Sequence, residues 1–362
     1  MVKKQIKLFD PHINHLEIKS TTKILKSNFW ASGAGNNLVA KFESKFNNFV
    51  GSKNMVGLNS GTAALHLALS LFDIRNKEVI LPSLSFVSTA NAVLYNGGKP
   101  VFVDVDENTL CLNPELIEEK INSKTKIILP VHFAGFPSNL KKIQKIVKNN
   151  RLYLVEDAAY AAGTTYENKQ IGSHGDAVCF SFHPVKNLAM PNGGAISLNT
   201  KNSDNLAKKL KILRWCGISE RKGIDYNVSE LGWNYYMNEI SAGIGLEQLK
   251  KLNKMNSKRK LIAKRYSQEL QLENKLSYTK DCSYHFYWIR VKNRKKFMAE
   301  LLKNNIETGV HYKPIHTMKY FKSKNKLPLT EKIGSEIVSI PTHPNLTDAD
   351  VSYIIKCINK LS

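Results

Sequence analysis

Apolar residues recur along this chain in two alternating rhythms. Between Asn37 and Val50, Leu38, Val39, Phe42, Phe46 and Phe49 repeat at helical spacing, and Gly51 stands where a helix stops. Short apolar runs mark strands at Met55–Leu58, Glu78–Pro82, Pro100–Asp104, Lys126–Val131, Leu152–Val155, Ala177–Phe180 and Ala195–Leu198. Helical spacing returns over Asn113–Ile121, over Leu140–Val147, and from about Asn205 to Trp215. The segment Leu231–Ala242 opens a long helix that reaches about Leu270. From about Lys275 the pattern changes to a strand at Tyr284–Val291, a helix at Arg294–Asn304 and a strand at Thr308–Tyr312.

Strands alternating with helices predict βαβ units and a mainly parallel central sheet flanked by helices, an α/β fold. In such sheets ligands bind beyond the C-terminal ends of the strands. The expected division is a large α/β domain over residues 1–245, then a long connecting helix and small α+β domain over 246–362. With 362 residues and 42% hydrophobic content the chain can bury a large core.

Composition excludes several classes. The five cysteines (Cys111, Cys179, Cys216, Cys282, Cys357) are scattered without a CxxC pair, which argues against a structural metal or a disulfide framework and fits a reducing cytoplasm. Residues Met1–Pro11 carry three lysines with no apolar run behind them, so no signal peptide is expected. The longest uncharged run, Val79–Gly98, is broken by Pro82, by Ser and Asn residues and by Gly97-Gly98. It reads as strand, loop and buried helix, and membrane insertion is not expected.

The formal charge is +23, and residues 246–362 hold +14 of it, with 24 Lys and Arg against 10 Asp and Glu. No helix-turn-helix, RNA-binding aromatic motif or zinc finger accompanies that charge, so nucleic acid is not the expected partner. Many lysines adjoin asparagines, a compositional bias that makes a solvated basic surface. Attraction of a pyrophosphate-bearing substrate is the next use of such charge.

The chemistry concentrates in Val155–Gly194. An apolar run ends on Glu156 and Asp157, and 29 residues beyond Asp157 stands Lys186, just past a second apolar run. Pyridoxal phosphate needs such a pair: a lysine to form an imine with it, and a carboxylate to keep its pyridine nitrogen protonated. Alone, an Asp at a strand end is ordinarily a cap and a Lys after His-Pro a solvated residue. Upstream, Met55–Leu58 runs into Asn59-Ser60-Gly61-Thr62-Ala63, a Gly turn opening a helix. Free N–H groups there make an anion site, or Ser60 or Thr62 simply caps the helix. Phe86 offers a flat apolar face, for stacking or for the core. Ser181 alternates with Phe180 and Phe182 and so faces away from both.

The run Phe180-Ser181-Phe182-His183-Pro184-Val185-Lys186-Asn187 with Gly193-Gly194, and Glu156-Asp157-Ala158-Ala159 at its spacing, resembles the DegT/DnrJ/StrS family of PLP-dependent nucleotide-sugar aminotransferases. The resemblance extends from about Trp30 to about Asp350. It implies fold-type I, with Lys186 and Asp157 catalytic on pyridoxal 5'-phosphate and pyridoxamine 5'-phosphate as intermediate. It places Gly61, Thr62, Ala63 and Ser181 at the cofactor phosphate, Phe86 on the pyridine ring and Tyr160 at the 3-oxygen. It makes Asn234 a donor to the phosphate of the neighbouring subunit in a homodimer with shared sites. Ser32, His311 and Tyr312 would meet the substrate. Three positions depart from the family: Tyr160 for Gln or His, Asn192 for Glu, Tyr236 for Arg. His311 and His316 lack the acidic or cysteine companions of a metal site, and none is expected.

The implied reaction moves an amino group from an amino acid, by resemblance glutamate, to a nucleotide-diphospho-keto-6-deoxysugar. It would serve cell-surface polysaccharide synthesis, such as lipopolysaccharide O-antigen, in the cytoplasm. Two alternatives stand beside it: a sugar 3-dehydratase of the same fold, whose members replace the lysine with histidine, and a non-catalytic PLP- or sugar-binding regulatory protein.

Overall fold

The computed structural model describes residues 5–321 and 326–361. Residues 1–4 of the N-terminal stretch expected to carry no signal peptide lie outside them. The chain opens with helix α1 (His15–Lys26) and α2 (Leu38–Val50), then runs through β1 (Asn54–Leu58), α3 (Gly61–Ser70), β2 (Glu78–Pro82), α4 (Ser88–Tyr95) and β3 (Lys99–Val103). It continues with β4 (Thr125–Ile128), α5 (Leu140–Asn149), β5 (Tyr153–Asp157) and a small hairpin, β6 (Thr165–Tyr166) and β7 (Lys169–Gln170). Strands β8 (Ala177–Ser181) and β9 (Gly194–Leu198) and helix α6 (Ser203–Leu213) complete the sheet and its flanking layers.

The seven strands lie in the order β1-β9-β8-β5-β4-β2-β3. Only β9 runs antiparallel to its neighbours. The strands are buried on both faces, which is why they read as continuous apolar runs. On one face pack α3, α4 and α6, with Leu65, Leu69, Val93 and Leu210 over Val155 and Cys179. The opposite face is covered by α2 and by the long helix that follows α6, with Phe42 and Phe46 against Phe180 and Phe182. Helix α5 covers Ile80, Ile128 and Leu154 on that side. Strand β5 lies in the middle of the sheet, so its last residue, Asp157, opens at the centre of the C-terminal edge.

Beyond the sheet come an exposed hairpin, β10 (Ile218–Lys222) with β11 (Asp225–Val228), and the 31-residue helix α7 (Glu239–Glu269). The C-terminal part adds β12 (Tyr287–Arg290), α8 (Arg294–Lys303), α9 (Pro328–Glu336), β13 (Ile337–Ile340) and α10 (Asp348–Leu361). Strands β12 and β13 pair antiparallel, and Trp288, Phe297, Leu301, Val338 and Ile354 share a core with Ile262 and Tyr266 of α7. Among the described residues no helix is long and apolar enough to cross a membrane, and no three His, Cys, Asp or Glu side chains gather where they would hold a metal.

Several elements differ from expectation. The helix expected at Asn113–Ile121 is two single 3-10 turns, Pro114–Leu116 and Glu118–Lys120. The long helix begins at Glu239, capped by Asn238, and not within Leu231–Ala242's first residues. Trp233–Tyr236 instead stays extended, because its backbone is bound to Leu213, Arg214 and Asn59. Thr308–Tyr312 is no strand: only Gly309 pairs with Ser339, and the partner of β12 is Ile337–Ile340. Helix α1 carries a capping box, with Asn14 accepting from Leu16 N–H and Glu17 from Asn14 N–H. Its Glu17 is buried against Lys251 and Gln248 of α7.

Candidate active site

Asp157, Lys186, Tyr160, Tyr312, His311 and Phe86, all expected residues, converge beyond the strand ends. Asp157 closes β5 and is 3% exposed. Its Oδ1 accepts from Ala159 N–H at 3.1 Å and its Oδ2 from Thr89 Oγ1 at 2.8 Å. Burial pushes its pKa up, while Thr89, Ala159 and the charge of Lys186 pull it down. Beside it, Glu156 points to the other face of the strand. Glu156 accepts from Gly175 N–H and from His132 Nε2 at 2.7 Å. Since His132 Nδ1 accepts from Ser138 N–H, the ring proton sits on Nε2.

Lys186 follows β8 on a turn in which its N–H donates to the carbonyl of His183. Its Nζ sits 4.0 Å over the ring of Tyr160. Burial lowers its pKa to about 7, against the pull of Asp157. The neighbouring Asn187 anchors the turn, donating to Asn256 of α7 and to the carbonyl of Ser283, each at 3.0 Å. Tyr160 is itself stacked on His285 at 5.2 Å, and its hydroxyl donates to Tyr312 at 2.8 Å. His311 hydrogen-bonds Ser339, and burial with the charge of Lys186 lowers its pKa to about 4.

The anion cradle lies at the start of α3. Ser60 caps it by accepting from Ala63 N–H at 3.1 Å, so Ala63, expected at the phosphate, has its N–H engaged. The N–H groups of Gly61 and Thr62 begin the helix without an intrahelical partner. A Cβ at Gly61 would stand 2.7 Å from the Cβ of Ser181, which places Ser181 at the cradle and explains the glycine. Phe86 is 52% exposed, and its ring makes a tilted contact with Tyr312 at 5.9 Å.

Other expected residues lie apart. Ser32 is half-buried beside Gly33, which packs on Trp215, and among the described residues no bond joins it to Lys186 or Asp157. The Asn234 side chain is exposed, while its carbonyl accepts from Asn59, just ahead of the cradle. His316 bonds Ser83 and Glu331 and clamps the C-terminal segment to the loop that carries Phe86. Tyr236 bridges Leu58, and Asn192 is exposed. Sequence reasoning missed Thr89, His132, Asn187 and His285. Thr89 sits in Ser88-Thr89-Ala90, which has no signature beyond the start of a helix.

An acid, a lysine of lowered pKa, a free aromatic face and an anion cradle at one edge of a sheet fit pyridoxal 5'-phosphate. The unbonded N–H groups of Gly61 and Thr62 with Ser181 packed close against them, and the open face of Phe86, carry that fit.

A profile of the DegT/DnrJ/EryC1/StrS aminotransferase family matches residues 11–359. The uncharacterised protein MJ1066 of Methanocaldococcus jannaschii is 38% identical over 378 residues, covering 98% of this chain and 96% of that protein. Spr1654, a proposed sugar aminotransferase of Streptococcus pneumoniae solved in apo, PLP and PMP forms, superposes in its apo form with a TM-score of 0.94. It is 26% identical, with 99% of this chain and 98% of that chain covered. Helicobacter pylori PseC, an aminotransferase of pseudoaminic acid biosynthesis, superposes with a TM-score of 0.93 at 28% identity, with 99% of each chain covered.

Proposed function

Because this chain belongs to the DegT/DnrJ/EryC1/StrS aminotransferase family, we propose that it moves an amino group from glutamate to a nucleotide-diphospho-keto-6-deoxysugar. It is a PLP-dependent sugar aminotransferase, and what is proposed is the donor, the sugar and the role of each residue. Pyridoxal 5'-phosphate bound here supplies an electron-accepting ring for the pair left when a carbon loses its proton. Gly61 and Thr62 N–H groups with Ser181 would hold its phosphate, Phe86 its ring face and Lys186 Nζ its carbonyl carbon. Asp157 would keep the pyridine nitrogen protonated. The Lys186 amine would take the proton from the donor's α-carbon and would return one at the sugar carbon being aminated. A lysine of pKa about 7 exchanges protons readily near neutral pH.

The observation that carries this reading is Lys186 poised over Tyr160 within the field of Asp157. It also speaks against the sugar dehydratase alternative, whose members lack the lysine. We assign residues 1–245 to the cofactor-binding unit and 246–362 to the unit that brings His311 and Tyr312 to its mouth. A homodimer is supported by exposed apolar residues on α1 and the loop after it (Ile18, Leu25, Phe29, Trp30) and on the hairpin segment (Ile224, Val228, Leu231). A cytoplasmic role in making sugars for surface polysaccharide, such as lipopolysaccharide O-antigen, accords with a nucleotide-linked substrate. Incubating purified protein, PLP and glutamate with a panel of nucleotide keto sugars, and weighing the products, tests the proposal. Conversion of a keto group to an amine by wild type and not by Lys186→Ala is expected. No amination of any panel member would overturn it.

A further inference from the structure

Asp157 draws its second donor from an element remote in sequence. Thr89, fully buried in the first turn of α4, lies three residues beyond Phe86 and four beyond Ser85. Its hydroxyl has one proton and three oxygens in reach: Asp157 Oδ2 at 2.8 Å, Ser85 Oγ at 2.8 Å and the carbonyl of Phe86 at 3.0 Å. That carbonyl already accepts the Thr89 backbone N–H at 3.1 Å. A hydrogen bond to a charged acceptor is about twice as strong as one between neutral groups, so the proton belongs to Asp157. Ser85, 1% exposed, then gives its own proton to Thr89 Oγ1. The chain Ser85 to Thr89 to Asp157 therefore runs in one direction.

We propose that Thr89 is a positioning residue for the cofactor ring, holding the Asp157 carboxylate in one orientation and in register with the Phe86 face through Ser85. The inference rests on the role assigned to Asp157 above. One short segment, residues 85–89, then supplies both the stacking ring and the clamp on the acid that meets the same ring's nitrogen. Without the Thr89 hydroxyl, Oδ2 is left buried with no donor, and a proton takes its place. A protonated Asp157 no longer stabilises a charged pyridine nitrogen. The other titratable groups facing Asp157 are Lys186 after β8, His132 after β4, Cys179 of β8, Tyr160 after β5 and Tyr312 from the C-terminal segment.

The test is spectroscopic titration of the apoenzyme with PLP across neutral and mildly acidic pH, on wild type, Thr89→Val, Thr89→Ser, Ser85→Ala and Asp157→Asn. Thr89→Val, nearly isosteric, is expected to bind roughly tenfold more weakly and to move the acid limb of binding up by about one pH unit. Thr89→Ser should restore both to within about twofold, and Ser85→Ala should shift the limb the same way by less. Should Thr89→Val not fold, Ser85→Ala decides: an unmoved limb overturns the proposal. Equal loss in Thr89→Val and Thr89→Ser would assign Thr89 to packing and overturn it as well. If Asp157→Asn is impaired while Thr89→Val matches wild type, only the Thr89 inference fails. If Asp157→Asn itself matches wild type, the role of Asp157 has failed first.

Discussion

The hydroxyl of Tyr160 donates to that of Tyr312 at 2.8 Å, joining residues 152 apart in sequence. Tyr160 sits on the edge of the central sheet beneath Lys186, and Tyr312 belongs to the C-terminal segment. Burial raises the pKa of both phenols, so both stay neutral and one must donate to the other. Tyr160 takes the donor role, which leaves the proton of Tyr312 free for a ligand oxygen. The bond is worth about 1 kcal/mol. Tyr160→Phe and Tyr312→Phe should each lose about that much stability, and the double variant no more than the larger single loss. Additive losses in chemical denaturation would show that the two hydroxyls act separately.

Lys186 makes stability depend on pH. Its pKa in the folded chain is about 7, against about 10.4 for an ordinary lysine. Between those values the unfolded chain holds a proton that the folded chain lacks, so folding is favoured increasingly as pH rises. Lys186→Met removes that contribution. In cofactor-free protein the stability of wild type relative to Lys186→Met should climb from about pH 7 to about pH 10. A difference that stays flat would place the ammonium in water.

Lys186 is also the expected attachment point. Borohydride should fix PLP to the peptide containing Lys186, and Lys186→Ala should yield no fixed cofactor. Mass-spectrometric recovery of PLP on another lysine would displace the central assignment.

Asp157 should be indispensable to chemistry and dispensable to the fold. Removing one partner of a buried charge pair costs about 3–5 kcal/mol, here taken from the pairing with the pyridine nitrogen. Asp157→Asn should keep its circular dichroism and lose roughly 10²-fold or more in the single-turnover reaction with glutamate. A near-normal rate would rule the role out.

What was legible in the sequence was local. The strand ending on Asp157, the turn at Gly61 and the alternation that separates Ser181 from Phe180 and Phe182 each occupy a few consecutive residues. Helix α1 had a readable capping box at Asn14 and Glu17, but its apolar face is thin because Glu17 is buried on it. The clamp of Thr89 on Asp157, the pairing of His132 with Glu156 and the bond between Tyr160 and Tyr312 join residues 68, 24 and 152 apart. Only the folded sheet edge brings them together, and no periodicity announces them. The strand expected at Thr308–Tyr312 is reduced to a single bridge, Gly309 with Ser339 of β13, while β13 pairs over four buried residues with β12.

The carbonyl of Asn234 is tied to Asn59 beside the cradle, and its side chain is exposed within this chain. The capping role near the head of α7 belongs to Asn238, which accepts from Ser241 N–H at 2.7 Å, so Asn234 is not needed there. A backbone tied next to the start of α3 and a side chain exposed on its own subunit suit a phosphate bound by a second copy. In a two-fold dimer each site would then combine Lys186 of one subunit with Asn234 of the other. The interface that does this should bury about 2,000 Å² or more. Lys186→Ala and a disruptive Asn234→Asp are each expected to be inactive as pure dimers. In the mixed dimer one site carries both lesions and the other neither. Unfolding and refolding the two variants together should therefore restore up to about a quarter of wild-type activity, half the dimers being mixed with one good site each. Full activity in a species that sediments as a monomer, or no recovery although tagged subunits are shown to exchange, would sink the shared site.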